Sequence, residues 1–173
     1  MIISAHVQKQ TYGYKEIIMS ELDVRIETLP PLRVISAYGF GSQPEGIAAG
    51  KMEAFLAKKG LLEGYGSSIP HYGFNNPSPS SGSPNYGYEI WAVVPPEVAP
   101  EDDLREVLFE GGLYAVTRFE NLDNIGRVWG ELVRWRENSP YLHADHQWLE
   151  HLLNPLESDP AKYVFELYLP IKE

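Results

Sequence analysis

The chain has 173 residues, which suits one globular domain or two small fused halves, and its 43% hydrophobic content is enough to bury a core. No run of about 18 apolar residues predicts a membrane span. The net charge of -10 argues against binding to nucleic acid or anionic membranes, since both rely on clustered Lys and Arg. The absence of cysteine excludes disulfides and thiolate chemistry and, with no signal-like N-terminus, favours the cytoplasm.

The first half of the chain predicts two strands followed by a helix. Residues 1–21 show no clear period, and we interpret them as an N-terminal extension. Alternating residues over 24–28 and then 32–38 predict the two strands. A helix is expected to start at Ser42 and end at Gly60, because the apolar residues between them recur at helical spacing.

Two aromatic-rich strands, residues 86–95 and 163–171, resemble one another when aligned. Side chains alternate faces along a strand, so each has one apolar face that needs a core. That face carries Tyr88 and Ile90 in the first strand and Phe165 and Leu167 in the second. The opposite face holds a carboxylate two residues before a large ring, which could line a pocket: Glu89 and Trp91 in the first strand, Glu166 and Tyr168 in the second.

The second half repeats the order of the first. Strands are predicted over 104–109 and 113–119, a helix follows a cap at Asn121 or Asp123, and the strand at 163–171 ends the unit. We therefore interpret the chain as two repeats, joined by a linker rich in proline and acidic residues. The repeats are residues 22–95 and residues 104–173. This order predicts an α+β fold of duplicated β-α-β-β modules, with antiparallel sheets around a central ligand cleft.

Four stretches of the second half carry a resemblance to a known family. They are Gly112–Phe119, Trp129–Trp135, Leu149-Glu150 and Phe165–Ile171. In this order and spacing they are similar to the GyrI-like (gyrase-inhibitor-like) family over roughly residues 22–173. That family also supplies the effector-binding domains of multidrug-sensing transcription regulators.

The resemblance implies two fused modules around a central cleft that binds lipophilic, often cationic aromatic molecules with stacked aromatics and a buried Glu. That Glu maps onto Glu150. Two departures stand out, because relatives often have His-Glu-Gly where this chain has Phe119-Glu-Asn121, and an aromatic where it has His151. The candidate ligand-binding residues are Glu150, Trp91, Tyr168, Trp135, Glu89 and Tyr114.

The residues around these candidates leave alternatives open. Glu150 lies among apolar neighbours, where an unpaired carboxylate is costly and an incoming cation would supply its partner; the alternative is a surface Glu. Trp129 lies on the apolar stripe of its helix and is interpreted mostly as core. Trp91 and Tyr168, on the less apolar strand face, are the stronger candidates for stacking on a flat cation.

No metal or cofactor is expected. His143, His146 and Glu150 would share one face if they lay on a helix, but they lack the order of a metalloenzyme motif. The chain also has no G-x-S-x-G motif, phosphate-binding loop or dinucleotide fingerprint. Any hydrolysis would need a carboxylate such as Glu150 as general base, with a nearby Tyr.

The interpretation that results is a cytoplasmic, stand-alone module that senses or sequesters a lipophilic, cationic aromatic small molecule. One alternative is a hydrolase of strained cyclopropane-containing compounds that uses the same cleft, as the resemblance implies for some members. Another is an inhibitor of a partner protein such as DNA gyrase. No helix-turn-helix segment is visible, so a role in transcription regulation would need a separate DNA-binding chain.

Overall fold

The computed structural model describes residues 22–173, and the predicted extension at 1–21 lies outside the described residues. The described residues form nine strands and two helices. The strands are β1 (Val24–Leu29), β2 (Leu32–Gly41), β3 (His71–Asn75), β4 (Tyr86–Ala92), β5 (Arg105–Phe109), β6 (Gly112–Glu120), β7 (Leu142–His143), β8 (Leu149–Leu152) and β9 (Val164–Lys172). The helices are α1 (Pro44–Lys58) and α2 (Ile125–Glu137).

Local sequence explains where the helices begin and end. α1 begins at Pro44, whose fixed φ suits a first turn, and Gln43 rather than Ser42 holds the N-cap position without a side-chain cap. Gly60 adopts a φ of 71°, as expected after a helix end. Asn121 accepts a hydrogen bond from the Asp123 N–H and so caps a short turn of 3-10 helix that leads into α2.

The strands pair in one antiparallel sheet. In this sheet the first strand of each half pairs with a strand of the other half. The order is β1-β6-β9-β8-β3-β4-β2-β5, with β7 paired to β9 outside this path. β1 therefore pairs with β6 of the second half, while β5 pairs with β2 of the first half. The predicted α+β class with antiparallel strands is confirmed. That residues 22–95 and 104–173 superpose as two repeats stays a prediction.

Short connections show that the sheet is strongly curved. Residues 30–31 join β1 to β2, so Leu29 and Leu32 lie at most about 11 Å apart. In the sheet order β2 lies six positions from β1, which would separate them by about 29 Å if the sheet were flat. Residues 110–111 connect β5 to β6 in the same way. The sheet therefore folds over, and its two edges approach each other.

The register places both helices on one face of this sheet. Ile90 of β4 pairs with Gly73 of β3, Gly73 with Glu150 of β8, and Glu150 with Leu167 of β9. Residues in such a row point to the same face. Ile90 packs in the core under α1 and Leu167 in the core under α2, so Glu150 lies on the helix-covered face, midway between the two helices.

The opposite face of the sheet lines the inside of the curve and is rich in aromatic residues. A buried cluster there joins residues from both halves, including Tyr72, Trp91, Tyr114 and Tyr168. As far as the described residues extend, neither helix is long and apolar enough to cross a membrane.

Candidate functional site

Glu150 is held by two neutral hydrogen-bond donors, one from each half. The Tyr88 hydroxyl donates to Glu150 Oε2 at 2.7 Å, and the Trp129 Nε1–H lies 3.4 Å from Oε1. Tyr88 belongs to β4 and Trp129 to α2, so the carboxylate bridges the two halves. Across residues 22–173 no Lys, Arg or His forms an ion pair with it.

Gly73 lets the Tyr88 ring reach Glu150. The two residues lie on either side of β3, and Gly73 separates them. A Cβ atom on Gly73 would lie 2.3 Å from the Tyr88 hydroxyl oxygen and 2.8 Å from Cζ, too close for real atoms. Tyr88 therefore crosses the strand where no side chain blocks it, and the pair depends on glycine at this position.

The surroundings of Glu150 make its charged form costly, because burial outweighs the help from its neutral hydrogen-bond donors. Burial raises the pKa of the Glu150 carboxyl, hydrogen bonds from Tyr88 and Trp129 oppose that rise, and the negative charge of Glu45 adds to it. Burial and the nearby Glu150 also raise the pKa of Tyr88 well above its usual value, so its hydroxyl remains a donor. A cation beside Glu150 would compensate the negative charge of this half-buried carboxylate.

A cleft of about 340 Å³ opens beside this carboxylate. The indole rings of Trp129 and Trp148 lie 5.2 Å apart, centroid to centroid, and are inclined at 41°. Indole faces attract cations and stack on flat rings, so the parts of these two rings that face the cleft, together with Glu150, suit a flat positive ligand. The lining residues are Phe74, Asn75, Ser78, Trp129, Gln147, Trp148 and Glu150.

Four of the six predicted ligand-binding residues lie away from this cleft, on the other face of the sheet. Trp91, Tyr114 and Tyr168 are buried in the aromatic cluster inside the curve, and Glu89 is buried on the same side. Strand alternation explains the separation, because Tyr168 pairs with Leu149, the residue before Glu150. The structure does not bring these four side chains together with Glu150, and their role in binding stays a prediction.

Glu89 illustrates the difference between the two faces. Its carboxylate accepts hydrogen bonds from Ser36 Oγ at 2.7 Å, Trp91 Nε1 at 3.0 Å and Asn76 Nδ2 at 3.1 Å, and it pairs with Arg105 at 2.5 Å. This carboxylate is fully satisfied within the protein, which indicates a structural role.

Trp135, the sixth predicted residue, packs elsewhere on the helix-covered side. It lies in the second half of α2, with its ring stacked 6.2 Å from that of Tyr141, and it does not line the cleft. Trp129, which the apolar stripe of its helix assigned mostly to the core, instead combines core packing with a face on the cleft.

Of the residues that line the cleft, sequence reasoning selected Glu150 alone, and it also missed Tyr88, which holds Glu150. Tyr88 was assigned to the apolar face of its strand, which is correct, but alternation could not show that its hydroxyl reaches across Gly73. The contact depends on a tyrosine in one strand and a glycine in its neighbour. The sequence alone does not show that these two residues are close, because the strand register is needed for that.

The predicted histidine group does not form a shared helical face. His143 lies in β7 and Glu150 in β8, while His146 lies between them and its Nε2 is 2.9 Å from the Leu113 carbonyl oxygen. Within residues 22–173, no three His, Asp or Glu side chains are placed to hold a metal ion together.

Comparison with known proteins identifies the fold and the family. The family model of the GyrI-like small molecule binding domain matches residues 22–172. No curated protein matches the sequence. Among solved structures, the C-terminal domain of EcmrR aligns with a TM-score of 0.63 and 13% identity over 88% of this chain and 99% of that domain.

Two further structures share the fold. EcmrR in complex with DNA aligns with a TM-score of 0.65 and 13% identity over 87% of this chain, which spans 57% of that longer protein. A hydrolase from Listeria innocua aligns with a TM-score of 0.56 and 17% identity over 86% of this chain and 91% of the hydrolase.

Proposed function

Because this chain belongs to the GyrI-like family of small-molecule-binding domains, we propose that its cleft binds lipophilic aromatic cations, as a sensing or sequestering module. The observation that carries this proposal is Glu150, a carboxylate between two helices. Among the described residues its partners are neutral donors alone, and two indole rings lie beside it.

The residues of the cleft account for both the aromatic character and the positive charge of the proposed ligands. The indole rings of Trp129 and Trp148 offer apolar faces to a flat ring system. A positive charge on that ring system would lie next to Glu150 and pair with its carboxylate, which has no cationic partner among the described residues. A neutral ligand of the same shape would gain only the stacking.

A charge-neutralising variant tests this proposal. Glu150→Gln keeps the shape of the side chain and should weaken binding of 1-methylquinolinium by roughly 30- to 1,000-fold, since losing a desolvated charge partner costs about 2–4 kcal/mol. Its neutral isostere, 1-methylnaphthalene, should lose far less affinity. Quenching of tryptophan fluorescence measures both, because Trp129 and Trp148 line the cleft.

A matched control separates the local charge from the overall charge. Glu110→Gln removes one negative charge at an exposed turn outside the cleft and should change neither affinity by more than about twofold. Equal, small losses for the cation and the neutral isostere in Glu150→Gln would show that Glu150 is not the charge partner.

Hydrolysis at the same site is a second candidate, favoured by one feature. The Glu150 carboxyl has a raised pKa and directly contacts the Tyr88 hydroxyl, an arrangement suited to general acid–base chemistry. Incubation with a strained cyclopropane-containing electrophile tests it. Ring-opened product that disappears in both Glu150→Gln and Tyr88→Phe would support turnover, whereas unchanged electrophile would leave binding as the function.

Inhibition of a partner protein such as DNA gyrase stays a prediction from the family resemblance. Complex formation that weakens with added salt would support it.

A further inference from the structure

A second tyrosine–carboxylate pair lies on the same strand as the first. Tyr86 and Tyr88 are two residues apart on β4 and therefore point to the same face. The Tyr88 hydroxyl holds Glu150, and the Tyr86 hydroxyl holds Glu45, at 2.8 Å from Oε1 and 3.0 Å from Oε2. Glu45 belongs to the first turn of α1 and is exposed.

The second pair lies beside the lining of the cleft, next to Ser78, and we call this position the rim. The N–H of Gly87, next to Tyr86, donates to the Pro77 carbonyl at 3.0 Å, which brings the following residue, Ser78, alongside Tyr86. Ser78 lines the cleft. The negative charge of Glu45 also raises the pKa of the Glu150 carboxyl, so the two carboxylates are close enough to interact electrostatically.

The spacing of the two carboxylates follows from the fold. Same-face residues two apart on a strand are about 7 Å apart. The two rings also lean to opposite sides, because Tyr88 reaches over β3 to β8, whereas Tyr86 reaches α1, which packs over β2 and β4. The carboxylates of Glu45 and Glu150 therefore lie on the order of 10 Å apart.

Neither carboxylate is neutralised by the protein around it. Among residues 22–173, no Lys, Arg or His forms an ion pair with Glu45 or with Glu150. Lys51, six residues after Glu45 on α1, pairs instead with Asp103 and donates to the Tyr38 carbonyl. The site thus has two carboxylates without a cationic partner among these residues, one half-buried and one exposed.

We propose that the cleft selects aromatic dications over monocations, with one positive charge held at Glu150 beside the indole rings and the second held by Glu45 at the rim. This inference rests on the proposed binding of cations at Glu150 and adds Glu45 as the residue that determines specificity. Glu45 is exposed, so its contribution is smaller than that of Glu150 and is screened by salt.

A series of bis(pyridinium)alkanes tests the proposal, with methylene linkers that bracket a charge separation of about 10 Å. The N-alkylpyridinium ions of the same chain lengths are the matched monocations. Affinity is measured by quenching of tryptophan fluorescence for the wild-type chain, Glu45→Gln, Glu150→Gln and the control Glu110→Gln. The expected pattern is an affinity maximum at one intermediate linker length for the dications and no such maximum for the monocations.

The variants should separate the two carboxylates. Glu45→Gln should weaken the best dication by about 2- to 5-fold and the monocations by less than about twofold, because the monocations make no contact at the rim. Glu150→Gln should weaken both kinds of ligand. Glu110→Gln should change neither.

Two outcomes would overturn the inference, and a third would overturn its premise. One outcome is that dications bind with no dependence on linker length. The other is that Glu45→Gln weakens dications and monocations equally. Either would show that Glu45 acts only by long-range electrostatic attraction and does not hold the second charge. If neither dications nor monocations bind the wild-type chain, the proposed cation site itself is wrong.

Discussion

At the scale of single residues, the carboxylates of Glu89 and Glu150 have different kinds of hydrogen-bond partner. Glu89 has Arg105 and three neutral donors, so its charge is balanced within the fold. Among residues 22–173, Glu150 receives hydrogen bonds only from the Tyr88 hydroxyl and, at longer distance, from Trp129. A largely enclosed carboxylate that lacks a cation is the costlier arrangement, and the proposed positive ligand would offset that cost. This contrast is why we propose Glu150 as the residue that binds the ligand.

A buried histidine makes the stability of the protein depend on pH. His71 is buried, and its Nδ1 has no hydrogen-bond partner within the described residues. Burial lowers its pKa from 6.5 to about 4. The unfolded chain therefore binds more protons than the folded protein between these values. The stabilisation by neutral His71 is complete above about pH 6.5 and is lost, by about 3 kcal/mol, as the pH falls toward 4.

Denaturant unfolding at a series of pH values measures this dependence. His71→Gln should flatten the fall of the free energy of unfolding between pH 6.5 and about 4, because the variant has no proton to take up there. The exposed His143, changed to Gln, serves as the control and should leave the slope unchanged. Parallel profiles for wild type and His71→Gln would contradict the assignment.

At the scale of elements, β4 organises the helix-covered face. Its Tyr86 and Tyr88 hold carboxylates from α1 and β8, and Ile90 packs beneath α1 in the core of the first half. The position of Glu45 relative to Glu150 therefore depends on how α1 packs on the strands below it. That contact is close at Gly39 of β2, where an added Cβ would lie 2.2 Å from the Pro44 carbonyl oxygen.

A pair of glycine variants tests how tightly α1 packs on the sheet. Gly39→Ala should lower the free energy of unfolding by about 1–3 kcal/mol, since the new methyl group must push α1 away. Gly50→Ala, where nothing lies within 4 Å of the added Cβ, should raise it by about 0.5–1 kcal/mol through helix propensity. Chemical denaturation measures both. A neutral Gly39→Ala would mean that α1 can shift without cost.

At the scale of the whole molecule, the exchange of edge strands ties the two halves together. β1 pairs with β6, and Arg25 of β1 contacts Glu166 of β9 at 2.9 Å. β5 pairs with β2, and Arg105 of β5 contacts Glu89 of β4 at 2.5 Å. Each half therefore receives both backbone hydrogen bonds and an ion pair from a strand of the other half.

Separating the halves should accordingly abolish folding. Residues 22–103 alone lack β5 to cover β2 and leave β1 without β6, and residues 104–173 alone have the reverse defect. Exposed strand edges and an uncovered aromatic cluster destabilise both fragments. Circular dichroism should show little cooperative unfolding for either fragment and a restored transition on mixing. Cooperative unfolding of residues 22–103 alone would contradict this.

Much of the fold was predictable from the sequence, because the information is local. Alternation of side chains assigned Ile90 and Leu167 to core faces and Trp91 and Tyr168 to the opposite faces, and the structure agrees. Turn and cap residues located the helices to within a few positions. Glu150 was found by its place in a family pattern.

The composition of the cleft could not be predicted in the same way. Alternation shows which residues share a face of one strand, but not which strand lies beside it or what covers that face. The order of the sheet placed β3 between Tyr88 and Glu150, and only a glycine at position 73 allows the contact. Likewise, Trp129 approaches Glu150 because α2 covers the second half.

The sequence by itself therefore determined the elements, their faces and one carboxylate of the site, since these depend on local periodicity and residue type. Tertiary structure alone decided the exchange of β1 and β5, the burial of Trp91 and Tyr168 inside the curve, and the tyrosine partners of Glu45 and Glu150. The physical reason is that these contacts join residues far apart in the chain, whose proximity is set by strand order and sheet curvature.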